Sequence, residues 1–191
     1  EVGNCGAAGD EGAAIGGEVS KWLRFRQDRI SALAATLQDE IRRWSREHGH
    51  DVRLWLNLWP PAFAPWLGQD YTALGRLCDG AKLFPYHRLG GGADLAGLVK
   101  AMTKSCPDEA EKVFGFLCGL LGLDYHIGFA EFCSDGLPVE FVRRETETAK
   151  AAFGSVPVFT GIQIWNLPAL EIQPAVDRAR AGGADGMFFY C

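Results

Sequence analysis

Apolar and polar positions alternate along this chain in two rhythms. Short apolar runs of strand length occur at residues 52–59 (VRLWLNLW), 81–87 (AKLFPYH), 156–164 (VPVFTGIQI) and 183–191 (GADGMFFYC). Between them, apolar residues recur at three- and four-residue steps, the period of a helix with one buried face. The spacing of Leu23, Ile30, Leu33, Leu37, Ile41 and Trp44 predicts a helix over residues 21–48, with Ser20 as its N-cap and Gly49 as its stop. Its arginines lie among acidic residues and read as a solvated face, with Arg24 or Arg26 reaching a neighbouring loop as the alternative. After Pro60 and Pro61 stop the first strand, Asp70 is placed to cap a helix carrying Tyr71, Leu74, Leu77 and Cys78 inward, ended by Asp79 and Gly80.

The stretch over residues 93–138 is a long excursion. It carries two predicted helices, ADLAGLVKAMTK and PDEAEKVFGFLCGLLG, and then LDYHIGFAEFCSDGLP, which has no clean period. A helix follows with Val139, Phe141, Val142 and Ala149 as its apolar positions. The last helix places Pro174 in its first turn and ends at Gly182 and Gly183. Residues 1–19 are rich in Gly and Ala and read as a flexible lead-in.

Strands separated by helices pair in parallel, because only a long crossover returns the chain in the same direction. The fold class is therefore α/β with a parallel sheet. A complete eight-fold barrel takes about 250 residues, against 191 here. Four βα units plus a helical insertion fit a partial (β/α)8 TIM barrel over residues 20–191. A free half would leave two unpaired edges. The expected partners are thus the remainder of the barrel in a longer chain, or self-association of the fragment.

Composition narrows the classes. The chain is 48% hydrophobic and 23% charged, enough for a packed core, and its net charge of −5 with dispersed Lys and Arg argues against nucleic acid. No apolar stretch reaches the roughly 18 residues of a membrane span. The start shows no basic segment ahead of an apolar core, and the six cysteines follow no CxxC or zinc spacing. Both favour a reducing, cytoplasmic setting. Cys78 and Cys118 read as small buried hydrophobes. GAAGDEG lacks the ending of a phosphate loop, and the histidines lack ligand spacing, so neither cofactor nor metal is expected.

Polar and aromatic side chains gather where each strand should end, the place where parallel α/β folds bind ligands. Asn57 and Trp59 follow the first strand, Tyr86 and His87 the second, Gln163 and Trp165 the third. Flat rings beside fixed polar groups suit a sugar, which offers C–H faces and a rim of hydroxyls. These six are the candidate substrate-binding residues. Trp66 belongs to the same aromatic group, whereas Trp55 reads as core packing. His87, titrating near neutrality, is the leading titratable candidate.

The order of these pieces resembles the glycoside hydrolase-like (β/α)8 barrel family. The resemblance rests on WLRFR near a helix start and on the run holding Gly68, Gln69, Asp70, Cys78, Asp79, Lys82, Tyr86 and His87. PVFTGIQIW and the closing GADG before an apolar strand complete it. It covers roughly residues 20–191 and implies the fifth to eighth strands of a barrel handling a glycoside at the strands' C-terminal face. Hydrolysis needs two carboxyl groups, about 5–5.5 Å apart for retention and about 6.5–9.5 Å for inversion. The resemblance implies one at the end of the fourth strand, which would precede residue 1, and one at the end of the seventh. The latter here ends in Gln163, Trp165 and Asn166. The catalytic residues are therefore unassigned; Asp70, read as a helix cap, Asp124, Glu131 and Asp135 are the visible carboxylates nearest the expected face. A sugar-binding barrel without hydrolysis, or a barrel of other chemistry such as phosphate binding, are the alternatives.

Overall fold

The computed structural model describes residues 8–88, 94–165 and 167–190. In chain order the elements are α1 (Ala8–His48), β1 (Trp55–Leu58), α2 (Tyr71–Gly75), β2 (Gly80–Leu83), α3 (Leu95–Met102), α4 (Ala110–Leu121), α5 (Phe129–Asp135), α6 (Glu140–Phe153), β3 (Val158–Gln163), α7 (Ala169–Ala181) and β4 (Gly186–Tyr190). The four strands form one sheet in the order β1-β2-β3-β4, every pair parallel. The fold is thus α/β, with each strand beside its neighbour in the chain.

The foot of the sheet is built twice from the same parts. The Asp79 amide donates to the Leu54 carbonyl at 2.8 Å, and the Leu54 amide donates back to Asp79 Oδ2 at 2.8 Å. Asp185 repeats this with Val158, at 2.9 and 2.7 Å. Each aspartate is followed by a glycine that opens the next strand. A Cβ on Gly80 would sit 2.5 Å from the Trp55 ring, and one on Gly186 would sit 2.5 Å from the Phe159 ring. Only glycine lets those rings lie across the neighbouring strand.

One face of the sheet is covered. Leu58, Ala81, Leu83, Val158 and Ile162 are buried there against α1, α2, α6 and α7. Thr160 joins this face through its hydroxyl, 3.0 Å from that of Thr146 on α6. The other face carries Trp55, Asn57, Lys82, Phe159 and Phe188, and Trp55 is 38% and Phe188 42% exposed. Trp55 meets Phe159 edge-on at 4.9 Å, and Lys82 Nζ lies 5.0 Å above the Phe188 ring. Trp55, expected in the core, therefore sits on an open face.

The excursion builds a second core. Phe63, Phe114, Phe132 and Phe141 meet there with Val99 and Leu117. Phe114 stacks on Phe132 with centroids 4.8 Å apart. The expected pair of helices becomes three, because FAEFCSD forms α5 although its short length hides a period. The polar residues around positions 92–94 are the expected cap of α3, and Asp94 fills that role, accepting from the Gly97 amide at 3.0 Å; Gly92 lies outside the described residues.

Several boundaries differ from the sequence reading. α1 begins at Ala8, so Ser20 lies inside it and donates to the Gly16 carbonyl rather than capping. The extension runs against local propensity, since Gly9, Gly12, Gly16 and Gly17 fall within it; residues 1–7 lie outside the described residues. The buried face of α1 is Ile30, Ala34, Gln38 and Ile41, while Leu33, Leu37 and Trp44 are exposed. Arg26 is not merely solvated: its guanidinium donates to the Trp66 carbonyl at 2.9 Å and to that of Leu67 at 3.3 Å. α2 stops at Gly75, and Leu77 and Cys78 pack inward from the turn that follows. α7 starts directly after Pro168, which leaves Pro174 inside the helix, where it removes one ladder bond.

The ring-over-glycine contact predicts a measurable coupling. Gly80→Ala should destabilise the fold by about 1–3 kcal/mol, because the new methyl meets the Trp55 ring. In a Trp55→Ala background the same change should cost at least about 0.5 kcal/mol less. Urea unfolding of the four proteins reads this directly, and additive costs would refute the contact.

Candidate functional site

Strand alternation sets the site. Beyond the ends of β1 and β2, the open face continues as a row of rings. Trp59 meets Phe84 edge-on at 5.0 Å, Phe84 lies 5.8 Å from Tyr86, and Tyr86 stacks on Tyr190 at 5.3 Å. Tyr86 passes over Gly161, where a Cβ would stand 3.2 Å from its Cε1. Burial raises the Tyr86 phenol above its ordinary pKa, with the neighbouring Tyr190 adding to the effect. Gln163 lies in register with Tyr190 on the same face. It is 7% exposed, and its Oε1 has no hydrogen-bond partner among the described residues.

The GQD run positions this row. Gly68, at φ +78°, leaves room for Arg26 and Ile30 of α1 to close on the loop. Gln69 Oε1 accepts from the Trp59 amide at 2.9 Å. Asp70 caps α2, accepting from the Ala73 amide at 3.0 Å, as the sequence predicts. The Tyr71 hydroxyl then donates to the Trp59 carbonyl at 2.5 Å. Trp59 is thus held by its backbone from both sides, and its ring is left to the site.

One residue past Tyr86 the chain turns away. His87 and Arg88 line a separate cleft of about 470 Å³ with Glu131, Asp135 and Glu171. The Leu137 amide donates to the His87 carbonyl at 2.6 Å, and Gly136 packs so closely there that no side chain fits. Arg88 Nε lies 2.8 Å from Glu171 Oε2, near enough for an ion pair though outside hydrogen-bond geometry. Its Nη1 bonds the Asp135 carbonyl and lies 3.7 Å from that residue's Oδ1. Burial, and then the Arg88 charge, lower His87 to about 4, so the imidazole is neutral near pH 7.

The six expected residues therefore divide. Trp59, Tyr86 and Gln163 share the ring-lined face. Asn57 lies on that face two residues before Trp59, exposed and in register with Lys82. Trp165 is 52% exposed, with only its amide tied, to the Tyr190 carbonyl at 3.2 Å. His87 belongs to the acidic cleft. Asn166 lies outside the described residues. Glu131 and Asp135 border the His87 cleft, whereas Asp124 is engaged by Arg144. Among the described residues no group of three His, Cys, Asp or Glu side chains converges to hold a metal ion. No helix of the described residues is long and apolar enough to cross a membrane.

Sequence reading missed Phe84, Tyr190, Arg88 and Glu171. Alternation along FPY and MFFY was the available signal for the first two; nothing local marked Arg88 or Glu171. It also missed Glu145, which is buried on α6 and accepts from the Ala62 amide, in the loop after β1, at 2.7 Å. Burial pushes this carboxyl up to about 7, against smaller opposing effects of that hydrogen bond and of Arg144. No family model matches the chain, and neither does any curated protein or solved structure.

Glu145 and His87 act on stability with opposite sign. Glu145, raised from 4.5 to about 7, holds its proton in the folded state and releases it on unfolding. Its contribution is complete below pH 4.5 and is lost as pH rises through 7. His87, lowered from 6.5 to about 4, stays neutral when folded and takes a proton on unfolding. Its contribution is complete above pH 6.5 and is lost as pH falls through 4. Each alone gives a slope of about 1.4 kcal/mol per pH unit, and between pH 4.5 and 6.5 they oppose. Denaturant titrations over that range should show stability rising with pH in Glu145→Gln and falling in His87→Gln, relative to the parent chain. Parallel profiles for all three would refute the assignment.

Proposed function

We propose that this chain is an arc of a (β/α)8 barrel of the glycoside hydrolase-like kind, and that it seats a glycoside at the C-terminal edge of its strands. Three features support the barrel. Each strand lies beside its chain neighbour in parallel, as barrel closure requires. The face opposite the helices is lined with large side chains that need a covering layer. α1 also exposes Trp22, Leu33, Leu37 and Trp44 along one stripe, which borders its buried face.

The observation that carries the ligand assignment is Gln163. A buried amide oxygen without a partner costs about 1–3 kcal/mol. A sugar hydroxyl donating to it would recover that cost while the C–H face of the ring lies on Tyr86 or Tyr190. A phosphate ligand fits poorly, since the unpartnered amide oxygen repels an anion and, among the described residues, the cation of this face, Lys82, lies over Phe188 rather than beside Gln163.

Binding without hydrolysis is the second reading. β3 ends in Gln163, which accepts and donates hydrogen bonds but cannot attack a glycosyl carbon. Asp135 and Glu171, in the neighbouring cleft, are both engaged by Arg88.

Calorimetric titration of the chain with a panel of neutral methyl glycosides tests the binding. At least one should bind, and Gln163→Leu should weaken it about tenfold, the loss of one buried hydrogen bond. A folded chain that takes up none of the panel, or binds equally well after the substitution, overturns the proposal. Release of phenol from aryl glycosides separates the enzyme from the binder.

A further inference from the structure

Trp59 has two surfaces, and the second opens onto a different cavity. Its edge toward Phe84 belongs to the ring row. The same side chain also lines a pocket of about 430 Å³, together with Trp66 from the loop after β1, Leu95 and Leu98 from α3, and Leu117 and Leu121 from α4. No polar side chain appears in its lining. The volume is that of a small ligand site. Leu98 is 48% exposed and Leu120 42% at its walls, so apolar surface is left in water. A well-packed helical layer turns such leucines inward.

We infer that the glycoside this protein binds carries a hydrophobic aglycone, an alkyl or acyl chain, which lies in the Trp59–Leu98–Leu121 pocket while the sugar lies on the ring row. The inference rests on the glycoside reading of the row and adds the substrate class. The occupant is an apolar chain joined to a sugar because the pocket and the ring row share the Trp59 side chain. A ligand that fills the pocket buries one side of the Trp59 ring, and the sugar attached to it then meets Phe84 and Tyr86. An isolated polar sugar gains little from a pocket walled by leucine, phenylalanine and tryptophan side chains. An unattached apolar molecule leaves the Gln163 oxygen unpaired.

A homologous series tests it. The chain is titrated with methyl, butyl, hexyl and octyl glycosides of one sugar that binds as the methyl glycoside, below their micelle-forming concentrations. Affinity should rise by roughly threefold to fourfold for each methylene until the pocket is full. Leu98→Asp, at an exposed wall position, should reduce the octyl-to-methyl affinity ratio to near one. Leu121→Trp, which fills the cavity, should do the same, and circular dichroism confirms that each variant is folded. Binding of the methyl glycoside with a flat series overturns the aglycone inference and leaves the sugar reading intact. A flat series with light scattering showing a second copy over the pocket overturns it equally. No binding by any glycoside, short or long, overturns both readings. A gain with chain length that both variants retain places the aglycone elsewhere and overturns the assignment.

Discussion

Two reciprocal hydrogen-bond pairs at the foot of the sheet govern what lies above them. In each, an aspartate amide donates to the carbonyl of the residue that precedes a strand, or opens it, and the aspartate carboxylate accepts from that residue's amide. A pair of bonds between the same two residues leaves no freedom to slip by one position. A slip by one would reverse every side chain, because strand periodicity is two. Fixing Asp79 to Leu54 therefore commits Leu58 and Leu83 to the helices and Asn57 and Lys82 to the open face. The glycine after each aspartate completes the device: a ring from the adjacent strand fills the space its missing side chain leaves. The two pairs span 25 and 27 residues. The sheet is thus two strand–helix–strand units of one design, and the excursion joins them.

That excursion is what turns a sheet edge into a site. It has its own aromatic core, independent of the sheet's, so it behaves as a solid block over the strand ends. It touches down at two places. Phe63 enters its core from the loop after β1, and the Leu137 amide returns to the His87 carbonyl after β2. One landing forms the apolar pocket beside Trp59, the other the acidic cleft around Arg88. The ring row runs between them. Both cavities depend on a loop being held against a strand end, and the tight fit of Gly136 at His87 shows how little slack the second landing has.

The architecture was legible because it rests on period and punctuation. Four apolar runs, broken by Pro60, Pro61 and by Asp-Gly steps, give four parallel strands without reference to any tertiary contact. Asp70 was readable as a cap because its side chain acts on a backbone amide three residues away. The half-exposed faces were harder. Trp55 and Trp44 look like core residues in any window of sequence, and only the layer that meets them, or fails to, decides their exposure. α5 was hidden because seven residues are too few to display a helical period. The site was half legible for a related reason. Tyr86 and His87 are adjacent, and adjacency in sequence suggested one pocket. Adjacent residues at a strand's end point opposite ways, so Tyr86 joins the ring row and His87 the cleft. Arg88 and Glu171 meet across 83 positions of chain, and no local pattern announces such a pair.

The chemistry turns on where the protein has spent its buried polar groups. Glu145 is the buried carboxyl with a raised proton affinity, the property a general acid needs. It is held by the Ala62 amide of the loop after β1, however, and lines neither the Trp59 pocket nor the Arg88 cleft. Its proton serves folding. His87 is buried at the edge of the cleft and kept neutral, so it offers a hydrogen bond rather than a charge. On the ring-lined face the buried polar atom is the Gln163 oxygen, which has neither charge nor proton to give. A face of stacked rings ending in a neutral acceptor offers apolar contact and one hydrogen-bond acceptor, and no acid or base among the described residues of the row. If the proposed glycoside reading holds, hydrolysis on this scaffold would need a carboxylate brought to that face from outside the described residues, and the ring row fixes where it would stand: opposite Gln163, across the Tyr86 ring.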